Sequence, residues 1–338
     1  TYQSFITPGF IDAHVHIESS MMPPSEFARI AVTHGTVAAV SDPHEIANVL
    51  GVQGVQYMME NAKDVPLKFY FSTPSCVPAT PFETSGAELT LEDTETLLKM
   101  PEIKFLGEMM NFPGVIYDDP NVLKKLEMAR AYQKPIDGHS PGLSGDDLRK
   151  YISQGISTDH ECFTKDEALE KLSLGMKILI REGSAAKNFD DLIPIAEEHY
   201  ENCMFCSDDK HPDDLVKGHI NDLVRRALDT GLDKMKVLQM ACINPVVHYG
   251  LDVGQLQKGD AADFLVIDNF DRLHIHRTII NGEIVAEDSR SRLSQKHATV
   301  VNRFAASPKK PQDFAVFHKN QAVNIIDVID GQLITKRS

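Results

Sequence analysis

The feature that most constrains this chain is an alternation. Eight times in succession a short apolar or β-branched run of strand length gives way to a stretch with helical spacing. The strand-like runs are 5–11, 36–40, 67–72, 103–106, 135–139, 156–161, 176–180 and 204–209. The helical stretches between and after them cover 23–31, 46–62, 91–100, 122–132, 145–154, 165–174 and 191–199, then 219–230 and 234–243. Strands alternating with helices of this length imply a parallel sheet with helical crossovers. Eight such units match a closed (β/α)8 TIM-like barrel, an α/β fold whose functional groups gather at the carboxyl ends of the strands. With 338 residues, the chain is long enough for one large barrel with a smaller domain beside it.

The texture changes near Leu256. Residues 259–267 and 278–285 read as strands, the second carrying a tight Asn281-Gly282 turn. Residues 289–312 are polar and poorly periodic, and short strands are expected at 315–317 and 323–329. The expected organisation is therefore a barrel over 1–250, a small, incomplete β-sandwich domain over 251–290, and a linker with the start of a β-containing region over 291–338. The chain opens at Thr1, directly before a predicted strand, so a preceding segment is expected to have been removed or left out.

The polar residues at the strand ends carry the chemistry. The first strand ends in His14-Val15-His16, and alternate side chains on a strand share a face, so both imidazoles point the same way. A lone His-x-His is weak evidence. It gains weight from Glu108 after the fourth strand, His139 after the fifth, His160 after the sixth and Asp208 after the eighth. Each has a plainer reading: Glu108 as a solvent-facing acid, His139 as a loop histidine, His160 displaced by Asp159 or Glu161, and Asp208 by Asp209. Together, four imidazoles and two carboxylates on one rim predict a two-metal site. Glu108 would bridge the metals, and Asp208 would bind one metal and accept a proton from the bridging water. Water on such metals ionises near neutral pH and becomes a strong nucleophile, so metal-assisted hydrolysis is the expected chemistry. Asp208, Glu108 and His160 are the expected catalytic groups. His44, Glu45, Glu161 and Asp209 are expected to orient them, and Arg181, Glu182 and Ser184, after the seventh strand, to meet the substrate.

Composition narrows the partners. Asp and Glu number 49 against 34 Lys and Arg, a formal charge of −15 with no basic cluster, which argues against a nucleic-acid partner. No apolar run reaches the roughly 20 residues that span a bilayer. Five scattered cysteines, including Cys203-x-x-Cys206 in an apolar run, argue for a reducing, cytoplasmic setting rather than a disulfide framework.

The motif Pro8-Gly9-Phe10-Ile11-Asp12-Ala13-His14-Val15-His16 resembles the amidohydrolase superfamily. Longer matches resemble the metal-dependent bacterial adenine deaminases within it. These are His16-Ile17-Glu18-Ser19-Ser20-Met21, Asp42 to Val49, Gly107 to Asn111, Asp137 to Leu143, Asp159-His160-Glu161 and Asp208-Asp209. The resemblance runs through nearly the whole chain. It implies a binuclear centre of Mn2+ or Fe2+, with Zn2+ as an alternative, and hydrolysis of adenine to hypoxanthine and ammonia. It implies that Glu108 bridges where many relatives use a carboxylated lysine. It also implies a β segment before Pro8 and more chain after Gly331-Gln332-Leu333 than this sequence carries. The expected partner is the small molecule adenine, with no nucleic acid and no membrane, and the chain is expected to form a homo-oligomer. The rival expectations are another amidohydrolase acting on a different heterocycle or cyclic amide, and a non-catalytic metal-binding scaffold.

Overall fold

A computed structural model describes residues 4–338 apart from 64, 81, 304, 318–321 and 330–334. Eight parallel strands form the core: β2 (Phe10–Val15), β3 (Thr36–Ser41), β4 (Lys68–Thr73), β5 (Ile103–Met109), β6 (Ile136–Gly138), β7 (Thr158–Asp159), β8 (Lys177–Arg181) and β9 (Cys203–Cys206). Strands β2 to β6 pair in chain order, as do β7 to β9. Parallel bridges Ile136–Ile156 and Val15–Asp208 join the two groups at both seams, which closes the barrel. Both β2 and β3 are buried along their whole length, as strands walled by helices outside and side chains inside must be.

The first predicted strand is two strands. Phe5–Pro8 forms β1, whose register pairs it with β10 (Phe264–Ile267) in a separate antiparallel sheet, and the barrel strand begins only at Phe10. Gly9 lies at the break, where a Cβ would sit 2.2 Å from Val37 Cγ1. The separate sheet has the order β1-β10-β11-β12-β13, with β11 (Ile275–Ile280), β12 (Glu283–Glu287) and β13 (Arg290–Ser291). Asn281 and Gly282 both have positive φ (51° and 83°), the two-residue hairpin turn that Asn-Gly favours. This sheet packs on the start of β3, where Thr278 Oγ1 donates to Val32 O at 2.7 Å, at the opposite end of that strand from Asp42.

The helices are α1 (Pro24–Ala31), α2 (His44–Leu50), α3 (Val52–Ala62), α4 (Leu91–Leu98), α5 (Phe112–Ile116), α6 (Pro120–Ala131), α7 (Gly145–Ser153) and α8 (Lys165–Ser173). They continue as α9 (Phe189–Leu192), α10 (Ala196–His199), α11 (Pro212–Leu215), α12 (Ile220–Asp229), α13 (Lys234–Leu238) and α14 (Asn244–Tyr249). The single helix expected over 46–62 is broken at Gly51, whose φ is 62°. Helix α1 has no side-chain cap of its own; the Asn61 side chain of α3 accepts from Ser25 N at 2.8 Å instead. Beyond Ser291, the strand expected at 315–317 does not form, and Val316 and Phe317 are exposed. Ile326–Val328 (β14) does pair, with Thr335–Arg337 (β15). Gly331, Gln332 and Leu333 lie outside the described residues.

Candidate metal centre

The seam between β2 and β9 builds one side of the rim. Asp208 N donates to His14 O at 2.9 Å, and His16 N donates to Asp208 O at 3.4 Å. Asp208 takes a left-handed backbone, φ 50°, unusual for a non-glycine residue and typical of groups held by their surroundings. The surroundings here include Asp12, a buried carboxylate below the rim that accepts from Ser207 N at 2.9 Å and pairs with His219 Nε2 at 2.7 Å.

All six rim residues converge. His14 Nε2 and His16 Nε2 are 3.1 Å apart, and His16 Nε2 lies 3.3 Å from Asp208 Oδ1. Glu108 is the hub, and its two oxygens face different partners. Oε1 lies 3.2 Å from His16 Nε2, while Oε2 lies 2.6 Å from His139 Nδ1 and 3.1 Å from His160 Nε2. His44, expected only to orient other groups, comes as close as they do, with Nδ1 3.4 Å from Glu108 Oε1. Glu161 Oε1 is 3.4 Å from both His139 Nδ1 and His160 Nε2. Asp159, which the sequence left as a rival to His160, points away from the rim towards α8, where Lys171 meets it at 3.0 Å.

Asp42 is a support that sequence reasoning passed over. Its carbonyl accepts from His16 Nδ1 at 2.8 Å, which leaves His16 Nε2 facing the rim. Its carboxylate accepts from Glu108 N at 2.9 Å and Ser72 Oγ at 2.7 Å. A Cβ on Gly107 would lie 2.3 Å from that carboxylate, so the position before Glu108 must be glycine.

The residues expected to meet substrate divide. Arg181 is fully buried and grips Glu161 with both Nη atoms, at 2.5 and 2.8 Å, while Nη1 also binds Asp208. Both Nη atoms are thus committed to carboxylates, while Nε is buried without a partner. Glu182 pairs with Arg226 at 2.9 Å, and Ser184 donates to Asp214 at 2.7 Å, which ties loops together. Ser19 Oγ stands between Asp209, at 2.6 Å, and Glu45, at 3.2 Å.

The electrostatics show how the cage divides its charge. Burial alone would push His160 down, but hydrogen bonding to Glu108 and the charges of Glu108 and Asp208 raise it to about 9. His16 is likewise held well above its usual value, against burial, by Asp208 and Glu108. Burial would raise Glu108, but His139, His16 and His160 hold it well below the usual carboxylate range. Asp208 is depressed in the same way, against burial, by His16, His160 and Arg181. A buried cluster that draws this much positive charge onto imidazoles, in groups whose nitrogen and oxygen ligand atoms lie within 4.8 Å of one another, fits divalent cations.

A closed (β/α)8 barrel with such a cluster at its strand ends defines a metal-centred barrel protein. The amidohydrolase family model matches residues 5–285, and the chain belongs to that family. It is 56% identical over 330 residues to an adenine deaminase of Salinibacter ruber, covering 98% of this chain and 61% of that one. It is 55% identical to an adenine deaminase of a Sulfurovum species, covering 98% of this chain and 62% of the relative. The chain thus spans about three-fifths of the length of the curated relatives it matches. In fold it is similar to a β-aspartyl dipeptidase from Fervidobacterium islandicum, with a TM-score of 0.64 and 16% identity, covering 87% of this chain and 86% of that one. It is also similar to an N-acetyl-D-glucosamine-6-phosphate deacetylase from Mycobacterium smegmatis, with a TM-score of 0.61 and 16% identity, over 84% and 87% of the two chains.

Proposed function

We propose that the chain carries the catalytic barrel of an adenine deaminase, which hydrolyses adenine to hypoxanthine and ammonia. The observation that carries the chemistry is the split of Glu108 between His16 on one side and His139 with His160 on the other. The substrate rests on the two relatives, whose similarity runs through 98% of this chain.

Two divalent cations would fit the cage: His14, His16, Glu108 and Asp208 would hold one, and Glu108, His139 and His160 the other. The imidazole and carboxylate donors suit Mn2+ or Fe2+, with Zn2+ as a competitor. When bound, such ions supply water that ionises near neutral pH and polarise the bond under attack. The protein's own part centres on Asp208. Its carboxylate, kept ionised by Arg181 and the neighbouring imidazoles, takes the proton of the attacking water as oxygen adds to C6 of the purine. Of the water's two protons, one ends on the ring nitrogen beside C6 and the other on the departing amine, so that the C6–N bond breaks and ammonia leaves. Arg181 fixes Asp208 and Glu161 in place and takes no proton itself. The five cysteines are buried and unpaired, which supports a reducing compartment such as the cytoplasm.

The test is ammonia release from adenine by protein loaded with Mn2+ or Fe2+, with the metal counted per chain. At saturating metal, Asp208→Asn is expected to lower kcat by about 10²–10⁴-fold, the usual span for a proton-transfer group, beyond any loss of metal counted per chain. Full turnover in that variant would refute the proton role. Two bound metals with no ammonia from adenine would refute the substrate.

A further inference from the structure

We propose that Lys171 and Asp159, neither of which faces the rim, are positioning residues that set the spacing of His139 and His160. This rests on the reading that those two histidines hold a metal. Strand β7 has only two residues, and its side chains alternate: Thr158 turns inward to donate to Asp137 at 2.9 Å, and Asp159 turns outward to α8. Asp159 and Lys171 are both fully buried.

The Asp159 carboxylate collects five donors, four from two loops and one from α8. Oδ1 accepts from Ser140 N at 2.8 Å and Ser140 Oγ at 2.9 Å. Oδ2 accepts from Glu161 N at 3.1 Å, Cys162 Sγ at 3.1 Å and Lys171 Nζ at 3.0 Å. Lys171 spends its other two protons on Ser140 O at 2.7 Å and Glu167 Oε1 at 2.8 Å. Glu167 extends the tie by accepting from Gly142 N at 2.8 Å and Phe163 N at 3.3 Å.

One ion pair therefore joins the loop after β6 to the loop after β7, behind the sheet. His139 directly precedes Ser140, and His160 directly follows Asp159. The histidine rings are 5.5 Å apart and meet the same Glu108 oxygen, so any slip between the loops changes that geometry. Lys171 also holds Asp159 away from the rim, which leaves His160 and Glu161 as the members of the Asp159-His160-Glu161 triplet that face it. Groups that orient ligands in this way typically carry 10–100-fold of metal affinity.

A buried Lys–Asp pair also stabilises a fold, and the structure supplies a control. Lys68 Nζ binds Asp263 at 2.6 Å, in a pair that joins the start of β4 to the loop before β10, far from the rim. The experiment compares wild type, Lys171→Met, Lys171→Arg, Asp159→Asn and Lys68→Met. Each is loaded with Mn2+, dialysed against a graded chelator, counted for metal per chain, melted, and examined by electron paramagnetic resonance for coupling between two Mn2+ ions. Lys171→Met and Asp159→Asn are expected to release one of two metals at 10–100-fold lower chelator concentration and to lose the coupling signal. Lys171→Arg should recover part of both, and Lys68→Met should melt early yet keep two coupled metals. The proposal is overturned if Lys171→Met melts like Lys68→Met and keeps both metals. If Lys171→Met does not fold, wild-type retention in Asp159→Asn overturns it equally. Coupled metals in a wild type that releases no ammonia from adenine would refute the proposed function and leave this inference standing, whereas no retained metal in the wild type would refute both.

Discussion

His34 shows how much a single buried imidazole away from the rim contributes. It ends the short helical turn after α1, with its Nε2 buried and without a partner. Burial, then the nearby charges of His219 and Lys210, push it from 6.5 to about 4, against a hydrogen bond involving Leu215 that favours the proton. The folded value lies below the unfolded one, so the unfolded chain takes up the proton first. Stability is complete above pH 6.5 and falls as pH drops towards 4, by at most about 3 kcal/mol at 1.36 kcal/mol per unit, and by less because the ring is partly exposed. His34→Leu should flatten this part of the profile in urea melts at pH 7 and pH 4.5. Identical slopes in variant and wild type would show that His34 carries none of it. The rim residues were legible because strand ends collect ligands, whereas the groups behind them were not. Asp42, Arg181 and Asp159 take their roles from partners 19 to 66 residues away. No spacing in the sequence announces such pairings.

At the scale of elements, the break at Gly9 decides where the barrel begins. A continuous apolar run from Phe5 to Ile11 reads as one strand by pattern, since pattern reports burial and not which sheet a residue joins. The close approach of Val37 is what the pattern hides. Gly9→Ala would place a methyl carbon 2.2 Å from Val37 Cγ1 and 2.4 Å from Cγ2, so β2 and β3 would have to part. Overpacking of this kind costs roughly 1–3 kcal/mol. Adding Val37→Ala should recover part of that loss, because the two sites share one clash and are not additive. Thermal melts of the two single variants and the double variant decide it, and strict additivity would mean that the clash relaxes elsewhere. Strands such as Thr36–Ser41 were legible from their β-branched, buried composition. The five-residue helix α5 was not, being too short for any period to show, and the helix expected over 234–243 turns π-helical at Gln239–Ile243, an irregularity no period announces.

For the molecule as a whole, barrel closure and the rim cage are one problem. The seam that closes the barrel runs through His14, His16 and Asp208, so the fold brings together carboxylates and imidazoles that depend on one another for charge. A cation that binds only this closed arrangement must stabilise the whole fold, by about 2.7 kcal/mol at a hundredfold excess over its Kd. Mn2+ should therefore raise the Tm of the wild type by several degrees, and a chelator should remove the gain. His14→Ala with His16→Ala removes both imidazoles of β2 and should reduce the shift while leaving Glu108, His139 and His160 in place. An undiminished shift in the double variant would mean that the stabilising ion sits elsewhere, and the exposed trio His274, His276 and Asp288 would then be the next place to look. A shift that shrinks ties one of the metals to the seam, and with it the closure of the barrel to the chemistry at its rim.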